Sequence, residues 1–141
     1  MTSALAPAID HVGINVPETS FEFWQELLHH LGATLDLDGT HFDAHIGEGP
    51  FLCVTATKAP HTDAGYHRRH TGLSHLALRL PTRQHVAALV PDFLQPRDIE
   101  PLYGGPKEYD YTPGYFALYF EDPSRLKIEV MTSQVARSAF G

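Results

Sequence analysis

The chain contains one pattern twice. "IDHVGINVP" at 9–17 and "LSHLALRLP" at 73–81 each place a histidine at the head of a short alternating run that a proline closes. In the first run Val12, Ile14 and Val16 share one face, and His11, Gly13 and Asn15 share the other. Period-two alternation of this kind predicts a half-buried strand. A sixty-four-residue offset lays His11 on His75, Val16 on Leu80 and Pro17 on Pro81. An internal duplication inside 141 residues constrains the fold strongly, because it leaves two small units in a chain of single-domain length.

The segments that follow repeat as well. "PETSFEFWQELLHHLG" predicts a helix in which Thr19 or Ser20 caps the start. Phe23, Trp24, Leu27, Leu28 and Leu31 form its apolar stripe, and Gly32 stops it. Strands are predicted at 33–37, 41–46 and 51–57, with turns at Asp38-Gly39 and at 47–50. After a polar connector the second copy predicts a strand over 75–80 with Leu76, Leu78 and Leu80 inward. A weaker helix follows, interrupted by Pro91, then strands at 99–103, 115–120 and 125–131. The long loop at 104–114 lets the offset grow, and "FLCV" then aligns with "KIEV", setting Cys53 over Glu129. The expected architecture is α+β: one domain over 1–141 built of two tandem βαβββ modules. Module 1 spans about 8–58, the connector 59–72, module 2 73–132 and a C-terminal tail 133–141, with the strands forming a curved mixed-sheet cleft.

Composition narrows the function classes. A net charge of −7 argues against nucleic acid, which requires a basic surface. No stretch approaches the roughly 18–20 apolar residues of a membrane helix, and the N-terminus reads as no signal peptide. A single cysteine, Cys53, suits a cytoplasmic protein. Histidine is over-used, with 10 copies, and is the commonest metal-binding side chain.

The strand faces suggest where those histidines act. His11 is followed two positions on by Gly13, and His75 by Ala77, so the histidine face carries a gap that suits a cleft. In the last strand Leu126, Ile128 and Val130 share the core face, which leaves Glu129 in phase with both histidines. Two imidazoles and a carboxylate with open positions are a facial triad for a divalent metal that must also bind substrate.

With these motifs the chain resembles the vicinal oxygen chelate superfamily, which includes glyoxalase I, fosfomycin thiol transferases, extradiol dioxygenases and bleomycin-resistance proteins. The resemblance runs from about residue 8 to 132 and rests on "IDHVGINV", "GLSHLALRL" and "YFALYFEDPSRLKIEV". Arg125 stands where the last motif usually has glycine. The resemblance implies His11, His75 and Glu129 as metal ligands, with Fe(II) first and Mn, Ni or Zn as alternatives. It places Cys53 at a fourth ligand position that is acidic or amide in glyoxalase I. Cys53 therefore either leaves a three-ligand site, closes a tetrahedral zinc set, or is simply a half-buried packing residue.

The resemblance also puts Tyr119 ten residues before the ligand glutamate, as in extradiol dioxygenases, whose accompanying upstream histidine is replaced by Tyr111. His41 and His45, which share a strand face with Asp43, are alternative acid–base candidates or residues of a solvated edge. Arg79 is a candidate clamp for an anionic substrate, and Cys53, Tyr111 and Tyr115 are further substrate-side candidates. The tyrosine-rich loop, which also holds Tyr103 and Tyr109, suits either a lid over an aromatic substrate or ordinary packing. The function expected is a metal-dependent enzyme, of dioxygenase type first, acting as a homodimer on a small oxygenated molecule. Glyoxalase-like isomerisation, thiol transfer and metal-free drug binding are the alternatives.

Overall fold

The computed structural model describes residue 5 and residues 7–135, so the tail expected at 133–141 lies outside the described residues from 136 onward. The chain divides into two compact units, Met1–Gly65 and Tyr66–Gly141, which part within the connector.

The first unit runs β1 (His11–Val16), α1 (Glu18–His30), β2 (Thr34–Asp38), β3 (His41–His45) and β4 (Phe51–Ala56). Its four-stranded sheet has the order β1-β4-β3-β2, with β1 parallel to β4 and the other neighbours antiparallel. α1 packs on β1, β2 and β4. Trp24, Leu27 and Leu28 are completely buried there, as are Val16, Phe42 and Val54 of the sheet. Each such side chain contributes about 1.5–3 kcal/mol of burial, and Trp24→Ala, which also leaves a cavity, should cost about 3–5 kcal/mol. The helix begins one residue after Pro17, and neither Thr19 nor Ser20 caps it. Pro17 sets the entry because its ring fixes φ where a helix can start, and Ser20 is already inside the first turn, donating its N–H to Pro17 O. The far end is as expected. Gly32 takes φ +91° and donates to His29 O while Ala33 donates to Leu28 O, the paired bonds of a Schellman ending.

The second unit runs β5 (Leu76–Arg79), α2 (Arg83–Leu89), β6 (Lys107–Glu108), β7 (Phe116–Glu121) and β8 (Lys127–Thr132). Its order, β5-β8-β7-β6, and its strand senses repeat the first sheet. Two mixed sheets of the same βαβββ order make the fold α+β, as expected. The duplication holds at the level of single residues: Gly13 pairs with Cys53 in one sheet, and Ala77 with Glu129 in the other. Val86, Leu89, Phe93 and Leu94 from the helical side are buried, as are Leu118, Phe120, Ile128 and Val130 of the sheet.

Two expectations need correction here. The strand predicted at 99–103 does not form: Leu102–Gly104 is a 3₁₀ turn, and the second-strand place is taken by Lys107–Glu108. Pro101 cannot donate to a ladder, and Tyr103, Gly104 and Gly105 all have positive φ, which no strand accommodates. The helix after Thr82 is regular only to Leu89. It widens into a π-type turn over Val90–Leu94, because Pro91 has no N–H to continue it.

Candidate functional site

In the second unit the site forms on the sheet face opposite α2. Alternation along β8 puts Glu129 and Met131 on that face, and the ladders set Ala77 on one side of Glu129 and Tyr119 on the other. Glu129 is only 2% exposed. A buried carboxylate needs partners, and this one has several. The Tyr115 hydroxyl donates to its Oε2, Tyr119 also hydrogen-bonds to it, and His75 Nε2 lies 3.2 Å from its Oε1. His75 sits just ahead of β5, and its Nδ1 is 3.2 Å from Ser74 Oγ, so its Nε2 is the nitrogen turned to the carboxylate.

Five of the six tyrosines gather around this carboxylate. Tyr103 and Tyr109 meet the Tyr119 ring edge-on at 5.4 and 5.6 Å, Tyr111 stacks on Tyr109 at 5.3 Å, and Tyr115 meets Tyr111 at 5.1 Å. Lys127 places its ammonium 4.8 Å from the centre of Tyr119 and 5.0 Å from that of Tyr103. Burial, and then the charge of Glu129 and the hydrogen bond to it, hold the Tyr119 phenol far above the ordinary tyrosine range. Tyr119 is therefore a proton donor at any physiological pH. Burial also raises Tyr109, whose hydroxyl is buried without a hydrogen-bond partner. A cavity of about 350 Å³ opens beside these rings, lined by Arg83 and the segment from Glu108 to Tyr115.

In the first unit the face opposite α1 is a polar grid. His11, Phe51 and His45 form one row, with the Phe51 ring stacked on His11 at 5.0 Å and on His45 at 4.8 Å. Gly13, Cys53, Asp43 and Asp36 form the next row, joined by the ladder pairs between them. Thr55 and His41 are paired in the third. His11 Nδ1 is 2.8 Å from Asp10 Oδ2, the same arrangement as Ser74 with His75. His41 contacts Thr55 Oγ1 through Nδ1 and Asp43 Oδ1 through Nε2, both at 2.9 Å. A hydrogen bond from the Cys53 thiol is the main influence holding the Asp43 carboxyl below its usual range, with His41 adding to it against burial. Burial, helped by Asp43, pushes the thiol up. Among the described residues, His41, Asp43 and Cys53 are the set whose metal-binding atoms all fall within 4.8 Å of one another.

No protein-family model matches the chain. The Bacillus subtilis protein named "Uncharacterized protein YqjT" is 28% identical over 81 residues, which span 57% of this chain and 62% of that protein's length. A solved structure described as a "putative glyoxalase", from Bacillus halodurans, superposes with a TM-score of 0.76 at 31% identity, covering 88% of this chain and 94% of that one. The chain belongs to the glyoxalase/bleomycin resistance/dioxygenase family. The glyoxylase/bleomycin resistance protein/dioxygenase domain of Frankia sp. EAN1pec shares the fold, with a TM-score of 0.67 at 17% identity over 93% of this chain and 95% of that one. So does the glyoxalase/bleomycin resistance protein/dioxygenase of Alicyclobacillus acidocaldarius, at 0.59 and 14% over 90% and 92%.

Against this family background the expected site residues fall into groups. His75, Glu129, Tyr119 and Tyr115 come together in the second unit, with Tyr111 on their exposed side. His41 and Cys53 come together in the first, whereas His45 stands apart on Phe51. Arg79 keeps to the expected face, but its guanidinium donates to the carbonyls of Ser133 and Val135, so it braces the backbone after β8. Sequence reasoning missed Asp10 and Ser74, although a polar residue directly before each histidine was a repeated signal. It also missed the ladder pairing of Asp43 with Cys53 and the position of Lys127 over the tyrosines.

The donor chemistry of the second unit fits a divalent ion. It offers an imidazole whose Nδ1 is already held and a carboxylate fixed by phenols, the outer support that metal-binding side chains ordinarily have.

Proposed function

We propose that the protein is a metal-dependent enzyme acting on a small oxygenated aromatic molecule, with extradiol-type oxygenase chemistry. The observation that supports this reading is the buried Glu129 carboxylate, meeting His75 Nε2 at 3.2 Å under a layer of tyrosines. His75 and Glu129 would hold the ion, Fe(II) first and Mn, Ni or Zn after it. His11 is assigned as a further ligand by its repeat register with His75. An ion bound there supplies Lewis-acid stabilisation of an oxyanion on a substrate that presents two adjacent oxygens.

The remaining roles belong to the chain itself. Tyr115 fixes the orientation of the Glu129 carboxylate, and Tyr119, held protonated, would turn its single O–H from that carboxylate to a substrate oxygen when substrate binds. The Tyr109–Tyr111 stack offers a planar wall for an aromatic ring, and the buried Tyr109 hydroxyl offers a donor with no protein partner. Lys127 adds positive charge for a substrate that binds as an anion. Cys53 supplies no carboxylate where glyoxalase I has its proton-moving acid, which favours oxygenase over isomerase chemistry. The family's habit supports a homodimer.

Elemental analysis of protein loaded with Fe(II), Mn(II), Ni(II) or Zn(II), followed by oxygen uptake on a catechol panel, tests the reading. The expected result is that His75→Ala loses one equivalent of metal and all uptake. Equal metal in wild type and His75→Ala would overturn the ligand assignment and favour a metal-free, bleomycin-resistance-type binder. Metal binding without oxygen uptake would move the reaction to isomerisation or thiol transfer.

A further inference from the structure

The first unit brings together metal-binding side chains that include neither His75 nor Glu129. We infer that His41, Asp43 and Cys53 form a site for a thiophilic divalent ion of the zinc class, with Thr55 as the positioning residue for His41.

Three observations carry this. The first is placement. Asp43 and Cys53 are direct partners in the β3–β4 ladder, and His41 lies two residues before Asp43 on the same face, so rigid sheet geometry brings a thiol, a carboxylate and an imidazole together. Their donor atoms all lie within 4.8 Å of one another. Bonds of about 2.0–2.3 Å to zinc put tetrahedral donors about 3.5 Å apart. Small side-chain rotations close that difference, and these side chains are only half-buried.

The second is access. Gly13, the ladder partner of Cys53 on the other side, is exposed, and a Cβ added to it would meet nothing within 4 Å. The sheet face is therefore open at Gly13, next to Cys53 in the ladder. The third is outer support: His41 Nδ1 already bonds to Thr55 Oγ1 at 2.9 Å, which turns its Nε2 toward Asp43. A ligand histidine is ordinarily held in this way through its other nitrogen.

The same three residue types could suggest a cysteine nucleophile, but the order of contacts is wrong for it. In cysteine catalysis the imidazole touches the thiol, whereas here Asp43 stands between them. A soft thiolate with imidazole and carboxylate selects zinc-like ions over magnesium or calcium. Binding displaces the thiol proton to solvent, so each ion taken up releases one proton from Cys53.

The test uses the full chain and exploits its single cysteine. Co(II) titration should give a thiolate-to-cobalt charge-transfer band at one equivalent. The band should vanish in Cys53→Ser and His41→Ala and persist in His75→Ala and Glu129→Gln. Zn(II) should protect Cys53 from a thiol reagent in wild type and in His75→Ala, but not in Asp43→Asn. Thr55→Ala should weaken zinc about tenfold or more, the usual loss when the support of a ligand histidine is removed, while Thr55→Ser restores it. A thiol equally reactive with and without zinc, or a band that follows His75 instead of His41, would overturn the proposal. Loss of oxygen uptake with the cobalt band intact would count only against the enzymatic reading.

Discussion

Tyr119 stands directly opposite Glu129 in the β7–β8 ladder, and its phenol bonds to that buried carboxylate. Because Tyr115 bonds to the same group, removing the carboxylate removes two hydrogen bonds at once. Glu129→Ala should therefore cost about 2–4 kcal/mol of stability, combining unmade hydrogen bonds with a cavity. Glu129→Gln keeps an acceptor and the volume and should cost about 1 kcal/mol. His75→Ala removes a half-exposed ring and should change stability less than either. Urea unfolding of the three variants gives the order. A Glu129→Ala protein as stable as wild type would contradict the packing described.

Burial raises the phenols of Tyr119, Tyr109 and Tyr66 above their ordinary value of 10.0. A group whose folded pKa is raised contributes stability that is complete below its unfolded pKa and is lost as pH rises beyond it. Stability should thus be level up to about pH 10 and fall steeply above it. In an ultraviolet titration of the native state, Tyr119, Tyr109 and Tyr66 should ionise late. Tyr119→Phe should make the alkaline fall shallower. An alkaline limb unchanged in that variant would show that Tyr119 does not carry it.

The position of Arg125 gives a third expectation. It takes φ +72°, the left-handed conformation that suits glycine, in the turn where Asp122 Oδ1 accepts the backbone N–H groups of Ser124 and Leu126. A side chain there costs about 1 kcal/mol relative to glycine. The exposed ion pair to Glu121 at 3.5 Å returns little of it. Arg125→Gly should raise stability by about 0.5–1 kcal/mol, read from the urea midpoint at constant slope. A loss of stability would mean that the pair to Glu121 outweighs the backbone strain.

That same arginine shows what the sequence could and could not tell. Its departure from a glycine-bearing motif was visible in the letters, but the reason, a left-handed φ, was not. The equivalence of Cys53 with Glu129, and the strand faces that carry Gly13 and Ala77, were legible because a strand's period is two and the chain repeats itself. "IEPLY" misled because its apolar letters suit a strand, while Pro101 and the positive φ values at 103–105 decide the backbone. The burial of Glu129 under tyrosines was hidden for another reason. Tyr109 and Tyr111 reach it through a loop whose path no periodicity encodes. The cluster of His41, Asp43 and Cys53 needed the β3–β4 register, and the turn at 47–50 leaves that register open in sequence.

Cys53 allows the most direct test of local electrostatics, since it is the only thiol. Burial raises its pKa first, and the Asp43 hydrogen bond and charge add to that, because the thiolate would face a carboxylate across the ladder. Alkylation of the metal-free protein by iodoacetamide depends on the thiolate fraction, so the rate at pH 8 should be below that of a free cysteine and its midpoint should lie to the alkaline side. Asp43→Asn removes the charge but keeps the shape. It should move the midpoint down and speed alkylation at pH 8 several-fold. If Asp43→Asn leaves the profile where it was, Asp43 does not control the thiol, and the ladder pairing has no chemical consequence there.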